Sequence, residues 1–160
     1  MTIAVLLTCF NRKEKTLKAL HRLMLAYNTF TDQISLKIYL TDDGSTDGTG
    51  EAVRAKYPEA IILQGNGNLY WAGGMRNSWR EALKGNFDAY LLLNDDTNVF
   101  ENVFQELLSA HEYSLKQFGR QGIYLGSTYD ENTKEISYGG AKLTNKFMFK
   151  YHFLTPNGKF

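Results

Sequence analysis

The sequence has one cysteine, no long apolar run and no marked excess of charge of either sign. Cys9 has no second cysteine with which to form an internal disulfide, which favours a reducing compartment. No apolar run approaches the ~20 residues that span a bilayer, and no signal peptide opens the chain. The formal net charge is +1 with scattered basic residues, so no nucleic-acid partner is expected. These absences predict a soluble, cytoplasmic protein, and 160 residues suit a single domain with one well-filled core.

Several common ligand-binding motifs are also missing. No Gly-Lys-Ser/Thr phosphate loop occurs, and the glycine-rich stretch Gly65–Gly74 does not match the dinucleotide-binding fingerprint. An EF-hand starting at Asp43 fails because Arg54 stands where the loop needs its bidentate glutamate. A phosphatase motif of the Asp-x-Asp-Gly-Thr type fails because Gly44 takes the place of the second acid. A ligand site must therefore be sought in other parts of the pattern.

The most informative stretch is the apolar run Leu91–Leu93 with the polar segment Asn94–Asp96 directly after it. The run predicts a strand buried on both faces, as in a sheet covered by helices. The chain has no Lys or Arg between Lys84 and Lys116, so these acids have no basic partner nearby in the sequence. A divalent cation is the usual means of keeping two adjacent carboxylates ionised. The alternative is a strand-to-loop turn in which an aspartate caps the next helix.

Strands and helices are predicted to alternate through the first two thirds of the chain. The predicted strands are Ile3–Thr8, Ser35–Thr41, Ala60–Leu63 and Asp88–Leu93, and the predicted helices are Lys13–Tyr27, one ending near Lys56, Met75–Lys84 and Phe100–Phe118. This alternation is typical of an open, mostly parallel, Rossmann-like α/β sheet with helices on its faces. Ligands bind such sheets outside the carboxyl ends of the strands. Three polar motifs follow strand ends and predict a shared site there, namely Thr8–Arg12, Asp42–Asp47 and Asn94–Asp96.

The pattern changes toward the end of the chain. A fifth strand is predicted at Gln121–Thr128. Beyond Tyr129, short segments at Glu135–Tyr138, Ala141–Leu143 and Lys146–Phe153 alternate or cluster in strand fashion around glycines. This spacing favours antiparallel hairpins over another crossover unit.

Polar residues at the predicted turns each have two interpretations. The carboxylates of Asp42 and Asp43 would accept hydrogen bonds from a ribose or a base, or would stabilise a tight Asp-Gly turn. Gly73–Gly74, at a predicted helix start, would let backbone N–H groups approach an anion, or would merely permit a turn. Arg76 would pair with a phosphate or a base carbonyl, or would lie in solvent.

Three further residues near the strand ends have structural interpretations. Asn11 is predicted to cap the first helix. Trp71 would provide a stacking surface or would pack against the protein. Cys9 is interpreted as a small buried residue and not as a nucleophile, because no histidine lies near it in the sequence.

Four of these motifs occur in the order found in a known family. They are Thr8–Arg12, Asp42–Asp47, Gly67–Asn77 and Asn94–Asp96. Together they resemble the ordered landmarks of family 2 glycosyltransferases with the GT-A fold, over about the first two thirds of the chain. The Trp-Ala-Gly-Gly form of the third motif is similar to bacterial rhamnosyl- and galactofuranosyl-transferases. The resemblance implies a bacterial enzyme of cell-wall or polysaccharide biosynthesis.

The resemblance implies a nucleotide-sugar pocket at the strand ends. The implied pocket residues are Thr8, Phe10, Arg12, Asp42, Asp43, Trp71, Gly74 and Arg76. Phe10 would lie against the base, Asp42 would accept a hydrogen bond from it, and Arg76 would reach the base or the diphosphate. These roles come from the family pattern and are expectations for this chain.

The same resemblance makes Asn94–Asp96 the Asp-x-Asp element of the family. Asp95 would face the ribose, and Asp96 would bind the divalent metal, Mg²⁺ or Mn²⁺. Asn94 departs from the family pattern because it replaces the first acid and removes one negative charge.

The implied reaction transfers a sugar from a UDP- or TDP-linked donor to the hydroxyl of a glycan or lipid-linked acceptor, with inversion. The metal would stabilise the leaving nucleoside diphosphate, and a general base would assist the attacking hydroxyl. In the family that base lies on a later segment, which would fall beyond Phe160. Residues 1–160 are therefore interpreted as one nucleotide-sugar-binding domain, the amino-terminal part of a longer GT-A catalytic domain, at the inner face of the membrane or free in the cytoplasm.

Other functions are considered beside this one. A non-catalytic nucleotide-sugar-binding module would keep the pocket and have no base. A sugar-1-phosphate nucleotidyltransferase needs a first loop rich in glycine and basic residues, whereas Thr8–Arg12 contains no glycine. The later candidates for a base, interpreted as loop or surface residues, are Asp130, Glu131, Glu135 and His152.

Overall fold

Strands and helices alternate from Thr2 to Phe118 in the computed structural model, which describes residues 1–130, 132–139, 141–145 and 150–153. In chain order the elements are β1 (Thr2–Cys9), α1 (Lys13–Tyr27), β2 (Ser35–Asp42), α2 (Thr49–Lys56), β3 (Ile61–Gln64), α3 (Tyr70–Ala82), β4 (Ala89–Leu92), α4 (Val103–Phe118), β5 (Thr128–Tyr129), β6 (Ile136–Tyr138), β7 (Ala141–Asn145) and β8 (Lys150–Phe153). The chain divides into two units, Met1–Glu106 and Leu107–Phe160.

The first unit contains a four-stranded parallel sheet in the order β3-β2-β1-β4. β1 and β2 pair along their whole length, from Thr2 opposite Ser35 to Cys9 opposite Asp42. Because the strands are parallel, their carboxyl ends meet at one edge of the sheet, which we call the carboxyl edge. The predicted α/β architecture, a parallel sheet flanked by helices, is confirmed.

The core lies on both faces of β1. On one face, β1, β2 and α3 contribute a buried cluster of Ala4, Leu6, Tyr39, Met75 and Ala82. Side chains alternate along a strand, so Val5 and Leu7 point to the opposite face, where both are fully buried. Burial on both faces explains why β1 is an uninterrupted apolar run.

The prediction that the fourth strand is buried on both faces is wrong at Leu92. In the described part of the chain β4 is an edge strand of the sheet, and Leu92 is 43% exposed. Leu93, directly after the strand, is buried. An apolar run alone does not reveal which strand lies at an edge, because it records composition and not the neighbours of each side chain.

A pair of leucine substitutions tests this difference. Leu6→Ala should lower the free energy of unfolding by about 2–4 kcal/mol, because Leu6 is fully buried and its loss leaves a cavity. Leu92→Ala should lower it by less than about 1 kcal/mol, since the side chain is already partly in water. Urea denaturation of the two variants would check the contrast, and equal losses would contradict the assigned burial.

The third helix begins earlier than predicted. α3 starts at Tyr70, not at Met75, so Gly73 and Gly74 lie inside the helix. The N–H of Gly73 donates to the carbonyl of Leu69 in the helical pattern. The sequence favoured a later start because two glycines weaken a helix. In the structure the carboxylate of Asp43 stabilises the amino end of α3 by accepting the N–H groups of Leu69 and Tyr70.

The second unit contains antiparallel strand pairs. β5 pairs with β6, and β7 pairs with β8, which confirms the antiparallel structure predicted after Tyr129. Residues 146–149 of the predicted strand Lys146–Phe153 lie outside the described residues. The predicted strand Gln121–Thr128 is wrong, because residues 121–127 have no regular secondary structure and its apolar residues Ile123 and Leu125 are exposed.

Candidate functional site

The loop after β1 is hydrogen-bonded to the loop after β2. Asn11, with a φ of 50°, accepts the backbone N–H of Thr46 at 2.7 Å through Oδ1, and its own N–H donates to Ser45 Oγ at 2.9 Å. The N–H of Lys13 at the start of α1 donates to Asp47 Oδ2 at 3.0 Å. The prediction that Asn11 caps α1 is therefore wrong, because Asp47 supplies that acceptor and Asn11 joins the loops.

Asp47 connects the starts of two helices. Besides Lys13, it accepts the N–H of Thr49 at the start of α2 at 3.0 Å through Oδ1. The hydrogen bond from the Thr49 hydroxyl lowers the pKa of Asp47 most, and the hydrogen bonds from these backbone N–H groups lower it further. The carboxylate thus stays ionised where it is needed to hold both loops in place.

Asp43 occupies the amino end of α3. Its Oδ2 accepts the N–H groups of Leu69 at 2.9 Å and Tyr70 at 3.1 Å, and its Oδ1 accepts that of Gly67 at 2.9 Å. A carboxylate at this position satisfies free N–H groups and complements the helix dipole. Of the two interpretations of Gly73–Gly74, neither places them correctly, because α3 starts at Tyr70 and the N–H of Gly73 donates to the carbonyl of Leu69 inside the helix.

Thr8 and Gly74 lie in direct contact where α3 crosses β1. Both are buried, and a Cβ at Gly74 would overlap the hydroxyl of Thr8. Ser78 donates to the carbonyl of Leu7 at 2.8 Å, so Thr41 must be the donor in its 2.8 Å bond to Ser78. These contacts fix α3 close to the sheet, and a pocket role for Thr8 and Gly74 stays a prediction.

Arg12 pairs with both acids of the loop after β4. Its Nη1 lies 2.8 Å from Asp96 Oδ2 and 3.3 Å from Asp95 Oδ1. Arg12 and Asp95 are 83 positions apart, and they meet because β1 and β4 are neighbours in the sheet. One guanidinium balances one of the two carboxylate charges, so this cluster keeps a net negative charge.

The two acids of this cluster differ in their surroundings. The side chain of Asp95 is 10% exposed, and its Oδ2 is buried with no hydrogen-bond partner in the described part of the chain. Burial raises the pKa of Asp95; Arg12 opposes this effect and the negative charge of Asp96 adds to it. The side chain of Asp96 is 42% exposed, so it is the carboxylate that an ion in solution can reach.

Asn94 is bound to the start of α3. The indole N–H of Trp71 donates to Asn94 Oδ1 at 2.8 Å. An indole nitrogen only donates, which fixes the amide oxygen toward Trp71 and leaves the amide NH₂ without a partner among the described residues. Asn94 thus places a hydrogen-bond donor beside the two acids, where an aspartate would add a third negative charge.

Asp42, Phe10 and Arg76 differ in accessibility. Asp42 is buried, and its Oδ1 accepts the N–H of Ser45 at 2.9 Å, as in the predicted turn. Phe10 is 52% exposed. Arg76 is exposed, and its side chain makes no hydrogen bond or ion pair within the described ranges. The ring and the guanidinium are therefore free to meet a ligand, and all three nucleotide-binding roles stay predictions.

The sequence did not reveal the residues that hold Arg12 in place. The only signals were an amide directly before Arg12 and the run Ser45–Asp47 after another strand. Their connection depends on β1 and β2 being neighbours in the sheet, which no local pattern encodes.

Cys9 is buried as predicted, and its thiol is not activated. Burial first, and then the negative charges of Asp42, Asp95 and Asp47, raise its pKa from 9.0 to about 12. The thiolate is the reactive form, so a disulfide reagent at pH 8 should label the native protein about 1,000-fold more slowly than the urea-unfolded chain. Since the folded-state pKa is the higher one, the thiol contributes stability below pH 9.0 that is lost as the pH rises toward 12. Equal labelling rates for the native protein and the urea-unfolded chain would contradict the buried environment of Cys9.

The acids at the carboxyl edge fit a metal ion shared with a ligand. In the described part of the chain, no group of three or more His, Cys, Asp or Glu side chains could hold a metal ion. Mg²⁺ commonly takes one or two protein carboxylates and completes its coordination with waters and substrate phosphates. Asp96, whose exposed carboxylate is engaged only through Oδ2, can supply one such ligand.

Comparison with known proteins assigns the chain to a family. A sequence profile described as glycosyl transferase family 2 matches residues 4–159. The chain belongs to glycosyl transferase family 2. The resemblance based on four ordered motifs is thereby confirmed, while the bacterial origin and the rhamnosyl- or galactofuranosyl-type activity stay predictions.

Solved glycosyltransferases share the fold of this family 2 chain. A structure of residues 1–349 of S. aureus TarS matches with a TM-score of 0.57 and 18% identity and covers 82% of this chain. The mannosyltransferase PcManGT from Pyrobaculum calidifontis, in complex with GDP-Man and Mn²⁺, matches with a TM-score of 0.55 and 15% identity and covers 66% of it. Likenesses at these identities bear on the fold alone, and the predicted GT-A fold is confirmed.

The family 2 chain is shorter than these neighbours. The match spans 40% of the TarS fragment and 31% of PcManGT. No curated protein sequence matches the chain significantly. None of its described helices combines the length and the apolar character needed to cross a membrane.

Proposed function

We propose that this family 2 chain binds a nucleotide-diphosphate sugar at the carboxyl edge and forms the donor-binding part of a metal-dependent, inverting glycosyltransferase. The observation that carries the proposal is the cluster of Arg12, Asp95 and Asp96. It unites the loops after β1 and β4 at the edge where open α/β sheets bind their ligands. The family makes a sugar nucleotide the ligand of choice.

In this proposal the nucleotide contacts the exposed side chains of Phe10 and Arg76 and the largely buried Asp95. Phe10 presents its ring to the base, and Arg76 pairs with the base or the diphosphate, since its guanidinium has no other described partner. Asp95 accepts hydrogen bonds from the ribose. The buried Asp42 and Asp43 act by holding the loop after β2 and the start of α3 in place.

A divalent ion, Mg²⁺ or Mn²⁺, supplies charge stabilisation to the departing nucleoside diphosphate when it is bound. Asp96 would hold this ion, because its carboxylate is exposed and one of its oxygens is free. The amide NH₂ of Asn94 would donate to a phosphate or sugar oxygen of the donor.

The acceptor hydroxyl attacks the anomeric carbon as the bond to the diphosphate breaks, and a general base takes the hydroxyl proton. We place this base outside residues 1–160, which form the donor-binding part of a longer enzyme. The donor is UDP- or TDP-linked, with GDP a third candidate because PcManGT was solved with GDP-Man. A glycan or lipid-linked acceptor at the inner face of the membrane completes the proposal.

Thermal shift assays with UDP, TDP and GDP, each with and without Mn²⁺, test the binding function. At a nucleotide concentration of about 100 times the Kd, the stabilisation of about 2.7 kcal/mol should raise the melting temperature by roughly 5–10 °C. ATP with Mn²⁺ is the control. The absence of a shift with every nucleoside diphosphate would contradict the proposal.

Turnover assays with UDP-, TDP- and GDP-sugars distinguish the donor-binding part from a complete enzyme. We expect nucleotide binding without sugar transfer by residues 1–160. Full transfer to an acceptor would overturn the placement of the base outside residues 1–160 and would leave the binding site intact. Binding without transfer by a longer chain as well would favour the non-catalytic module.

A further inference from the structure

Arg12 holds two acids with a single nitrogen. Nη1 contacts both Asp95 and Asp96, and no other guanidinium nitrogen of Arg12 has a hydrogen-bond partner in the described ranges. A guanidinium carries five N–H donors. Arg12 is therefore a cation with most of its hydrogen-bonding capacity unused.

The backbone that carries Arg12 is held on both sides. Asn11 is bonded to Ser45 and Thr46, and the N–H of Lys13 is bonded to Asp47. The carbonyl of Arg12 accepts the first helical hydrogen bond of α1, from Thr16 at 2.9 Å. The origin of the side chain is thus fixed, and only its own torsions can redirect the guanidinium.

The two ion pairs of Arg12 differ in their exposure to water. Arg12 and Asp96 are 46% and 42% exposed, whereas Asp95 is 10% exposed. Ion pairs that water reaches contribute little and exchange readily, while a partly buried pair is screened less. The bond to Asp96 is therefore the one that a competing cation can replace.

We propose that Arg12 is a built-in counter-ion that a divalent metal displaces from Asp96 when a diphosphate is present. The guanidinium keeps Asp95 and turns its free N–H groups toward the diphosphate. This inference rests on the proposed function, because it needs a metal at Asp96 and a ligand that carries phosphates.

The charges explain why the metal and the nucleotide then bind cooperatively. Without nucleotide, a divalent ion at Asp96 lies next to the positive charge of Arg12, and the two cations compete for the same carboxylates. A diphosphate adds anionic oxygens for both cations and removes the competition. By linkage, the nucleotide strengthens metal binding by the same factor as the metal strengthens nucleotide binding.

Titration of Mn²⁺, followed by the electron paramagnetic resonance signal of the free ion, tests this role without turnover. Wild type and Arg12→Met are compared with and without the nucleoside diphosphate that binds most tightly among UDP, TDP and GDP. Without nucleotide, Arg12→Met should bind Mn²⁺ about fivefold more tightly, the factor that corresponds to the upper range of an exposed ion pair. The enhancement that nucleotide gives should shrink by a similar factor.

Arg54→Met is the matched control, since Arg54 is exposed on α2, has no ion pair with a described residue and loses the same charge. Its Mn²⁺ affinity should equal that of wild type. Arg12→Gln provides a second variant in case Arg12→Met does not fold. Unchanged or weaker Mn²⁺ binding in a folded Arg12 variant, with nucleotide-dependent binding in wild type, would overturn this inference alone. Failure of wild type to bind any of the nucleotides would overturn the proposed function, and this inference with it.

Discussion

Asp96→Asn is expected to abolish the effect of Mn²⁺ on nucleotide binding. Asparagine keeps an oxygen that accepts the hydrogen bond from Arg12, but it removes the charge that the proposal assigns to the metal. Removing a residue that only hydrogen-bonds to a metal ligand typically lowers metal affinity about 10–100-fold. Removing the ligand itself should therefore lower it at least about 100-fold. Calorimetric titration of the nucleotide with and without Mn²⁺ measures the difference.

The control for this prediction is Asp32→Asn, because Asp32 is exposed and makes no ion pair within the described residues. It should leave both affinities unchanged. Asp96→Asn should also keep the melting temperature of wild type, since Asp96 is partly in water. An Asp96→Asn protein that still binds nucleotide more tightly with Mn²⁺ would place the metal elsewhere.

Asp43→Ala is expected to lower the free energy of unfolding by about 3–5 kcal/mol. Three backbone N–H groups lose a charged acceptor at once, each bond being worth about 1.5–3 kcal/mol alone and less in sum. The amino end of α3 and the turn at Gly67 would both lose their anchor. Urea denaturation, followed by far-ultraviolet circular dichroism, measures the loss.

Asp43→Asn and Asp32→Ala complete this test. The amide of Asp43→Asn keeps one acceptor oxygen and turns an NH₂ toward backbone donors, so its loss should lie between those of wild type and Asp43→Ala. Asp32→Ala removes an exposed acid and should change stability by less than about 0.5 kcal/mol. If Asp43→Ala were as stable as Asp32→Ala, the carboxylate would not support α3.

The sheet could be predicted from the sequence because its central strands are buried on both faces. β1 appears as an apolar run that stops at a polar turn, β2 is buried from Ile38 to Asp42, and strands and helices follow the alternation that parallel sheets require. The pattern failed where burial depends on distant neighbours. Leu92 belongs to an apolar run typical of a central strand, but it is exposed because its strand lies at an edge of the sheet. The apolar residues of Gln121–Thr128 do not form the predicted strand.

The candidate site was predicted as a set of motifs but not as a set of contacts. The sequence indicated that the acids after β4 need a positive charge nearby. In the structure this charge comes from Arg12, which is more than half the chain away. Similarly, the sequence left Asp43 with two interpretations, an acceptor for the nucleotide or part of a tight turn, and neither pointed to the N–H groups 24 to 27 positions later that its oxygens accept. Such contacts depend on strand order and on where α3 begins, and neither has a local signal.

The bonds that tie Asn11 to Ser45 and Thr46 also limit how the protein can be re-engineered. A chimera that imports the first loop from a relative, in order to change its donor preference, would separate Arg12 from the scaffold that aims it. The second loop should therefore be grafted together with the first, because Ser45 and Thr46 supply the hydrogen bonds that hold Asn11.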